Sequence, residues 1–200
     1  MKLTKFYKKH VELGAKLVEF ADYSMPIQYT SIMEEHKAIR NSVGVFDVSH
    51  MGEVTIKGDR AFDFVQYITT NDVSKLSVGR VQYTAMCYEN GGIVDDLLLY
   101  QISDVEYMLV INASNIQKDI EWMHKNNSFG VEIINESDDY SLLAVQGPNS
   151  KKTLEKICGD AFEMEYYHFN IAQCGNLKMI VSRTGYTGEL GYELYFKGSE

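Results

Sequence analysis

A glycine-containing turn between two strand-forming runs is the feature that most limits how this chain can fold. Residues 81–88 and 93–100 contain mostly apolar, aromatic and β-branched side chains, and Asn90-Gly91-Gly92 separates them. Turns of this composition reverse the chain between neighbouring strands, so the two runs are predicted to pair as an antiparallel hairpin.

Two adjacent carboxylates, Asp95 and Asp96, lie in the second strand of this hairpin. Because strand side chains alternate, they are predicted to point to opposite faces, Asp95 with Ile93, Leu97 and Leu99, and Asp96 with Val94, Leu98 and Tyr100. An unpaired charge on an apolar face is costly, so each should find hydrogen-bond donors or shift its pKa. The pair is therefore a candidate site. The alternative is structural, with one Asp on backbone amides near the turn and the other in water at a sheet edge.

Capping patterns predict four helices between the strands. Ser31 with Glu34 forms a capping box, Ser114 and Asp59 are further candidate caps, and Pro148 precedes the fourth helix. The helices are predicted over residues 31–41, 114–125, 60–68 and 148–156, and further strands over residues 52–56, 107–111, 142–146, 177–181 and 192–196. Helices and strands mix without strict alternation, which predicts an α+β fold with antiparallel sheets and flanking helices.

Composition excludes several classes of function. The net charge of −9 without a basic cluster disfavours nucleic acid as a partner. No apolar run approaches the length of a membrane span, and the N-terminus lacks a signal-peptide pattern, so the predicted location is the cytoplasm, away from membranes. The three cysteines have no CxxC spacing and no HExxH pattern occurs, which predicts reduced thiols and no metal. Dinucleotide and P-loop phosphate motifs are also missing.

The run SRTGYTGELGYE, residues 182–193, carries a glycine at every third position. Such spacing allows a flat ligand to approach the backbone closely, although an elaborate loop is the simpler interpretation. Glu193 follows on a predicted strand, where its carboxylate could accept two parallel hydrogen bonds from an aminopyrimidine edge. The alternative for Glu193 is a surface glutamate.

Two other segments contain candidate residues. Asn112 lies where the strand over residues 107–111 meets the predicted helix, a position that suits either ligand binding or helix capping. Asp47, Ser49 and His50 suggest a hydrolase, but no nucleophile elbow surrounds Ser49, so that interpretation is rejected. Tyr166 and Tyr167 are typical of core or rim aromatics.

Taken together, these segments resemble the aminomethyltransferase family, the T proteins of the glycine cleavage system. The segments that carry the resemblance are HVELGAKLVEFADYSMPIQYTSI, SVGVFDVSHMGE, ITTND, ENGGIVDD, VINASN, AVQGP and SRTGYTGELGYE, which together span essentially the whole chain. The resemblance implies an enzyme that moves the methylene of an aminomethyl group, held on the lipoyl-bearing H protein, to tetrahydrofolate as co-substrate, with release of ammonia.

The resemblance also implies roles for individual residues. Asp96 should face the folate as the catalytic residue, with Asp95 as supporting structure, and Glu193 should bind the pterin edge. The residues implied to line the folate cavity are Met51, Tyr83, Leu98, Tyr100, Asn112, Tyr167 and Tyr186. The domain is expected to comprise two interleaved α+β subdomains, residues 1–50 with 140–200 and residues 51–139.

Members of the family are nearly twice as long and carry a C-terminal barrel-like domain that these 200 residues do not include. The chain is therefore interpreted as an N-terminal portion, whose activity alone is open. The alternative function is that of a non-catalytic folate-binding class of the same fold that supports iron–sulfur protein maturation. That class has a KGCYxGQ segment, and Gly185 stands here in place of its cysteine.

Overall fold

The structure, a computed structural model, describes residues 1–198 and consists mainly of antiparallel strands with short helices. The helices are α1 Tyr7–Glu12, α2 Ile32–Asn41, α3 Ala61–Ile68, α4 Ile116–Lys125 and α5 Ser150–Cys158. The strands are β1 Lys16–Phe20, β2 Tyr23–Gln28, β3 Gly44–Asp47, β4 Gly52–Lys57, β5 Val81–Cys87, β6 Ile93–Ser103, β7 Glu106–Ile111, β8 Glu132–Asn135, β9 Tyr140–Gln146, β10 Phe169–Cys174, β11 Leu177–Ser182 and β12 Gly191–Lys197. Both kinds of element occur in the α+β arrangement that the sequence predicts.

Contacts within the chain group these elements into two units. The first unit contains Met1–His50 and the chain from Asp139 onward, and the second contains Met51–Asp138. The first unit holds a five-stranded sheet in the order β10-β11-β12-β9-β3 and the separate hairpin β1-β2, whereas the second holds a sheet in the order β5-β6-β7-β4-β8. All neighbouring strands in these sheets are antiparallel. The prediction that these two units are separate subdomains stays a prediction.

The core of the second unit lies between one face of its sheet and helices α3 and α4. Alternation along the strands sends every second side chain to this face, and the helices contribute apolar side chains at helical spacing. The core includes Val54, Ile56, Phe64, Val65, Leu97, Leu99, Leu109, Ile111 and Met123. Each such side chain contributes about 1.5–3 kcal/mol when fully buried. This packing anchors the β5–β6 hairpin.

The core of the first unit is formed by strands β9, β11 and β12 with helix α5. Its members include Val145, Leu154, Phe162, Val181, Tyr192, Leu194 and Phe196. The buried Tyr192 hydroxyl donates to the backbone oxygen of Phe162 at 3.1 Å, so its polar atom is satisfied. The end of β12 that bears Glu193 is held by this packing.

One predicted helix cap is present and two are not. Ser31 accepts a hydrogen bond from the Glu34 amide at 3.2 Å, which confirms the predicted start of α2. Ser114 does not cap α4, because Ala113–Asn115 forms a tight 3₁₀ turn in which the Asn115 amide bonds to the Asn112 carbonyl at 2.9 Å. Asp59 does not cap α3 either, since the Ala61 amide bonds to the Gly58 carbonyl at 2.9 Å.

The faces predicted for Ile93 and Val94 are both wrong. Met86 pairs with Asp95 but Cys87 pairs with Ile93, so Val94 is an extra residue in β6. This bulge leaves the Ile93 side chain 67% exposed and turns Val94 into the core. From Asp95 onward the predicted alternation holds.

The prediction of reduced thiols is also wrong for two cysteines. Cys158 at the end of α5 and Cys174 at the end of β10 form a disulfide with their Cα atoms 4.4 Å apart, and Cys87 is free. Sequence spacing did not reveal this pair because the return of β10 along α5 brings the two residues together. No helix within residues 1–198 is long and apolar enough to cross a membrane.

Candidate functional site

The predicted site residues that belong to the second unit lie at one face of its sheet, opposite the core. Tyr83 on β5 pairs directly with Leu98 on β6, and residues paired in this way project on the same side. Asp96 and Tyr100 lie two residues to either side of Leu98 and therefore share that face. Met51 and Asn112 lie at neighbouring strand ends, next to the paired Gly52 and Ile111.

Asp96 is an exposed carboxylate held by its neighbours. The Tyr83 hydroxyl donates to Asp96 Oδ2 at 2.8 Å, and Asn112 Nδ2 donates to the Asp96 backbone oxygen at 3.1 Å. The same Asn112 nitrogen lies 3.4 Å from Asp96 Oδ1, at the long limit for a hydrogen bond. The hydrogen bond to Oδ2 thus orients the Asp96 carboxylate, while Oδ1 can accept a hydrogen bond from a ligand.

Asp95 points into the core face and is only 4% exposed. Its Oδ2 accepts from the Asn112 amide at 3.0 Å, and its Oδ1 accepts from Asn112 Nδ2 at 2.9 Å and Asn115 Nδ2 at 2.6 Å. Burial raises the pKa of Asp95, but hydrogen bonds from Asp119, Asn112 and Asn115 outweigh it and lower the pKa below its usual value. Asp95 therefore anchors the end of β7 and the following turn. The two carboxylates do point to opposite faces, as alternation predicts.

In the first unit, Glu193 forms a separate cluster on β12. Thr184 Oγ1 donates a short hydrogen bond to Glu193 Oε2, and the Tyr195 hydroxyl donates to the same oxygen at 3.2 Å. Burial raises the pKa of Glu193, and the bonds from Thr184 and Tyr195 oppose that shift. Within residues 1–198, Glu193 Oε1 accepts no hydrogen bond, so it can accept one from a ligand.

The glycine-spaced loop before β12 encloses the side chain of Gln146. Gln146 Nε2 donates to the Thr184 and Tyr192 carbonyls at 3.3 Å each, and Thr187 Oγ1 donates to Gln146 Oε1 at 2.9 Å. A Cβ atom at Gly191 would lie 2.0 Å from Gln146 Oε1, so only glycine fits there beside the buried amide. Gly185 and Gly191 therefore have a packing role beside Gln146, whereas a Cβ atom at Gly188 would meet no other atom within 4 Å.

The remaining predicted residues differ in accessibility. Tyr186 is fully exposed, Met51 and Leu98 are partly buried, and Tyr100 is fully buried. Tyr167 has a positive φ of 61° and packs edge-on against Tyr166, with ring centroids 4.7 Å apart. Tyr83 is 55% exposed beside Asp96. Tyr83, Asp96 and Asn112 are joined by hydrogen bonds, whereas Tyr167 and Tyr186 are not bonded to Glu193.

Sequence patterns missed several side chains that support these clusters. Asn115 and Asp119 contact Asp95, and Gln146 and Thr184 support the Glu193 cluster. None of the four has a periodic or spacing signal that distinguishes it. Ser49 uses its hydroxyl on the Leu142 backbone, which agrees with rejection of the hydrolase interpretation. Among residues 1–198, no group of three His, Cys, Asp or Glu side chains could hold a metal ion.

Comparison with known proteins shows which family and which proteins the chain is similar to. A sequence model of the GCVT N-terminal domain matches residues 6–200. Aminomethyltransferase of Halothermothrix orenii is 53% identical over 196 residues, and that of Thermosipho melanesiensis is 56% identical over 197 residues. These alignments cover 98% of this chain but 55% and 54% of the two relatives, so the chain spans about half their length.

Solved structures show the same similarity. The glycine cleavage system aminomethyltransferase T from Bartonella henselae superposes with a TM-score of 0.89 at 32% identity, covering 98% of this chain and 54% of that one. A chain of heterotetrameric sarcosine oxidase from Corynebacterium sp. U-96 superposes with a TM-score of 0.57 at 12% identity, covering 82% of this chain and 81% of that one. The second match shows a shared fold alone.

Proposed function

The chain belongs to the GCVT N-terminal domain family, and from this membership we propose that it is the tetrahydrofolate-binding part of an aminomethyltransferase of the glycine cleavage system. The proposed reaction moves the methylene of an aminomethyl group from the lipoyl sulfur of the H protein to tetrahydrofolate. Ammonia, methylenetetrahydrofolate and the H protein with its freed dihydrolipoyl thiol are the products. The proposal covers the co-substrate tetrahydrofolate, the H protein as partner, and a cytoplasmic location.

The observation that carries this proposal is the geometry of Asp96. An exposed carboxylate, oriented by Tyr83 and Asn112 and flanked by Leu98, suits a ligand that presents nitrogen donors beside an apolar ring. Such a carboxylate can position reacting nitrogens and stabilise the positive charge that develops as ammonia leaves. Asp96 is the proposed catalytic residue on this basis.

We further propose that Glu193 binds the aminopyrimidine edge of the pterin. A carboxylate matches two parallel N–H donors, and Oε1 of Glu193 has no donor within the described residues. Met51, Tyr83, Leu98, Tyr100, Asn112, Tyr167 and Tyr186 are proposed to line the folate cavity. Because Tyr100 is fully buried, a ligand would contact it only if the side chains that cover it moved aside.

Ammonia release from aminomethylated H protein in the presence of tetrahydrofolate tests the proposed function. Since the chain spans about half the length of its relatives, the assay uses the chain and a chimera in which it replaces the matching part of a full-length relative. We expect tetrahydrofolate-dependent ammonia release by the chimera. Folate binding by both proteins without ammonia release by the chimera would instead favour the non-catalytic class, and the absence of both would contradict the proposal.

Glu193→Gln is expected to weaken tetrahydrofolate binding more than it slows the bound-state reaction. The amide retains one acceptor oxygen but presents an N–H₂ group to a two-donor edge, and a lost charge-assisted hydrogen bond costs about 1.5–3 kcal/mol. Calorimetry on the chimera measures the affinity. Glu132→Gln, on the exposed edge strand β8, is the matched control and should bind as the unmodified protein does. Equal affinity of the Glu193→Gln variant would remove Glu193 from the site.

A further inference from the structure

Asp119 on helix α4 is a buried acid whose charge the surrounding residues do not compensate. Its side chain is 0% exposed, and among residues 1–198 no N–H or O–H donates a hydrogen bond to either carboxyl oxygen. The nearest cation is Lys118 Nζ, 3.8 Å from Asp119 Oδ1, which is too far for a hydrogen bond. That ammonium group already donates to the Val94 carbonyl.

Asp119 lies beside the carboxyl of Asp95. Asn115, one helical turn before Asp119, donates to Asp95 Oδ1 at 2.6 Å, and Lys118 donates to the Val94 carbonyl, so the start of α4 packs against β6 at this point. Two carboxylates in contact cannot both be ionised in a buried site, so one proton must lie between them. The donors decide which acid carries it, because Asp95 accepts three N–H bonds from Asn112 and Asn115 and Asp119 accepts none of them. Asp95 is therefore the ionised partner and Asp119 the protonated one.

We propose that protonated Asp119 donates its hydrogen to Asp95 and is a positioning residue, because this bond fixes the Asp95 carboxylate that orients Asn112 against Asp96. The Asn112 side-chain nitrogen is shared, lying 2.9 Å from Asp95 Oδ1 and 3.4 Å from Asp96 Oδ1. A shift of Asp95 therefore moves the amide that lies beside Asp96. The role of these contacts in folate chemistry rests on the proposed function. The contacts themselves do not depend on it.

The charges around Asp119 agree with this assignment. Burial and then the contact with Asp95 raise the pKa of Asp119 to about 8, and Lys118 on the same helix opposes the shift. The charged groups that act on Asp119 are Asp95 from β6 and Lys118 from α4, whereas the neighbouring Asp96 points to the opposite face of β6. At higher pH, ionised Asp119 would repel Asp95 and loosen the hold on Asn112.

The first test measures stability against pH for the unmodified chain and for Asp119→Asn. The pKa of Asp119 is raised on folding from 3.8, so its stabilising contribution is complete below about pH 4 and is lost as the pH rises towards about 8. The unfolding equilibrium constant of the unmodified chain, relative to Asp119→Asn, should therefore rise about tenfold per pH unit across this range. Asp59→Asn, an exposed aspartate of the same unit, should show no such slope. A ratio that does not vary with pH would overturn the shared proton.

The second test follows the side-chain amide resonances of Asn112 by NMR, without folate. In the unmodified chain they should shift with a midpoint near pH 8, and in Asp119→Asn this transition should disappear, because the amide of the variant donates to Asp95 at every pH. If the stability slope is present but the Asn112 resonances do not titrate, the proton exists and the positioning role is wrong. Neither measurement uses folate, so both still test the shared proton and the positioning role if the proposed function is wrong.

Discussion

Asp96→Asn is expected to lower the rate of tetrahydrofolate-dependent ammonia release by about 10²–10³, the usual effect of removing one well-aimed electrostatic group. Asn keeps the volume of Asp and can still accept from the Tyr83 hydroxyl, but it cannot stabilise a developing positive charge. The loss should therefore appear in turnover more than in folate affinity. Single-turnover assays of the chimera, with calorimetry in parallel, separate the two effects.

Asp95→Asn is the matched comparison for Asp96→Asn. Asp95 is buried and accepts three N–H bonds, so its replacement removes at least one charge-assisted hydrogen bond, about 1.5–3 kcal/mol, and should lower the thermal midpoint. Asp96→Asn should leave the midpoint nearly unchanged because the side chain is exposed. If Asp95→Asn removes turnover at unchanged stability while Asp96→Asn stays active, the two assignments are reversed.

Gly147→Ala is expected to destabilise the chain by about 2–5 kcal/mol, from left-handed backbone strain and overpacking together. Gly147 has a φ of +126°, and a Cβ atom there would lie 2.5 Å from the Ser42 carbonyl oxygen and 2.6 Å from that of Ile39. These are backbone atoms at the end of helix α2, which cannot move aside as a side chain can. Thermal denaturation should show a midpoint lower by about 5–20 °C.

Gly14→Ala separates the two causes of that loss. Gly14 also has a positive φ, +73°, but a Cβ atom there would meet no other atom within 4 Å. It should therefore show only the conformational penalty, about 1–2 kcal/mol. Equal losses at Gly14 and Gly147 would mean that the contact with the end of α2 contributes nothing.

Local patterns in the sequence determined much of the secondary structure and the pairing of neighbouring strands. The Asn90-Gly91-Gly92 turn predicted the β5–β6 hairpin, and Ser31 predicted the start of α2. The two-residue period of a strand placed Asp95 and Asp96 on opposite faces, because that period is a property of the extended backbone itself. The bulge at Val94 broke the period for both Ile93 and Val94, since the position of an extra residue depends on how the partner strand is aligned.

The tertiary structure alone decided which side chains meet across the chain. Asn112 bonds to Asp95 over 17 residues, Gln146 to the Thr184 carbonyl over 38, and Cys158 to Cys174 over 16. The contact of Asp119 with Asp95, and with it the protonated state of a buried acid, belongs to the same class. The register of the sheets and the packing of the helices on them determine these contacts. Neither can be predicted from a local period or spacing in the sequence. The sequence by itself therefore determined the faces and the family resemblance, whereas folding determined the partners that orient Asp96.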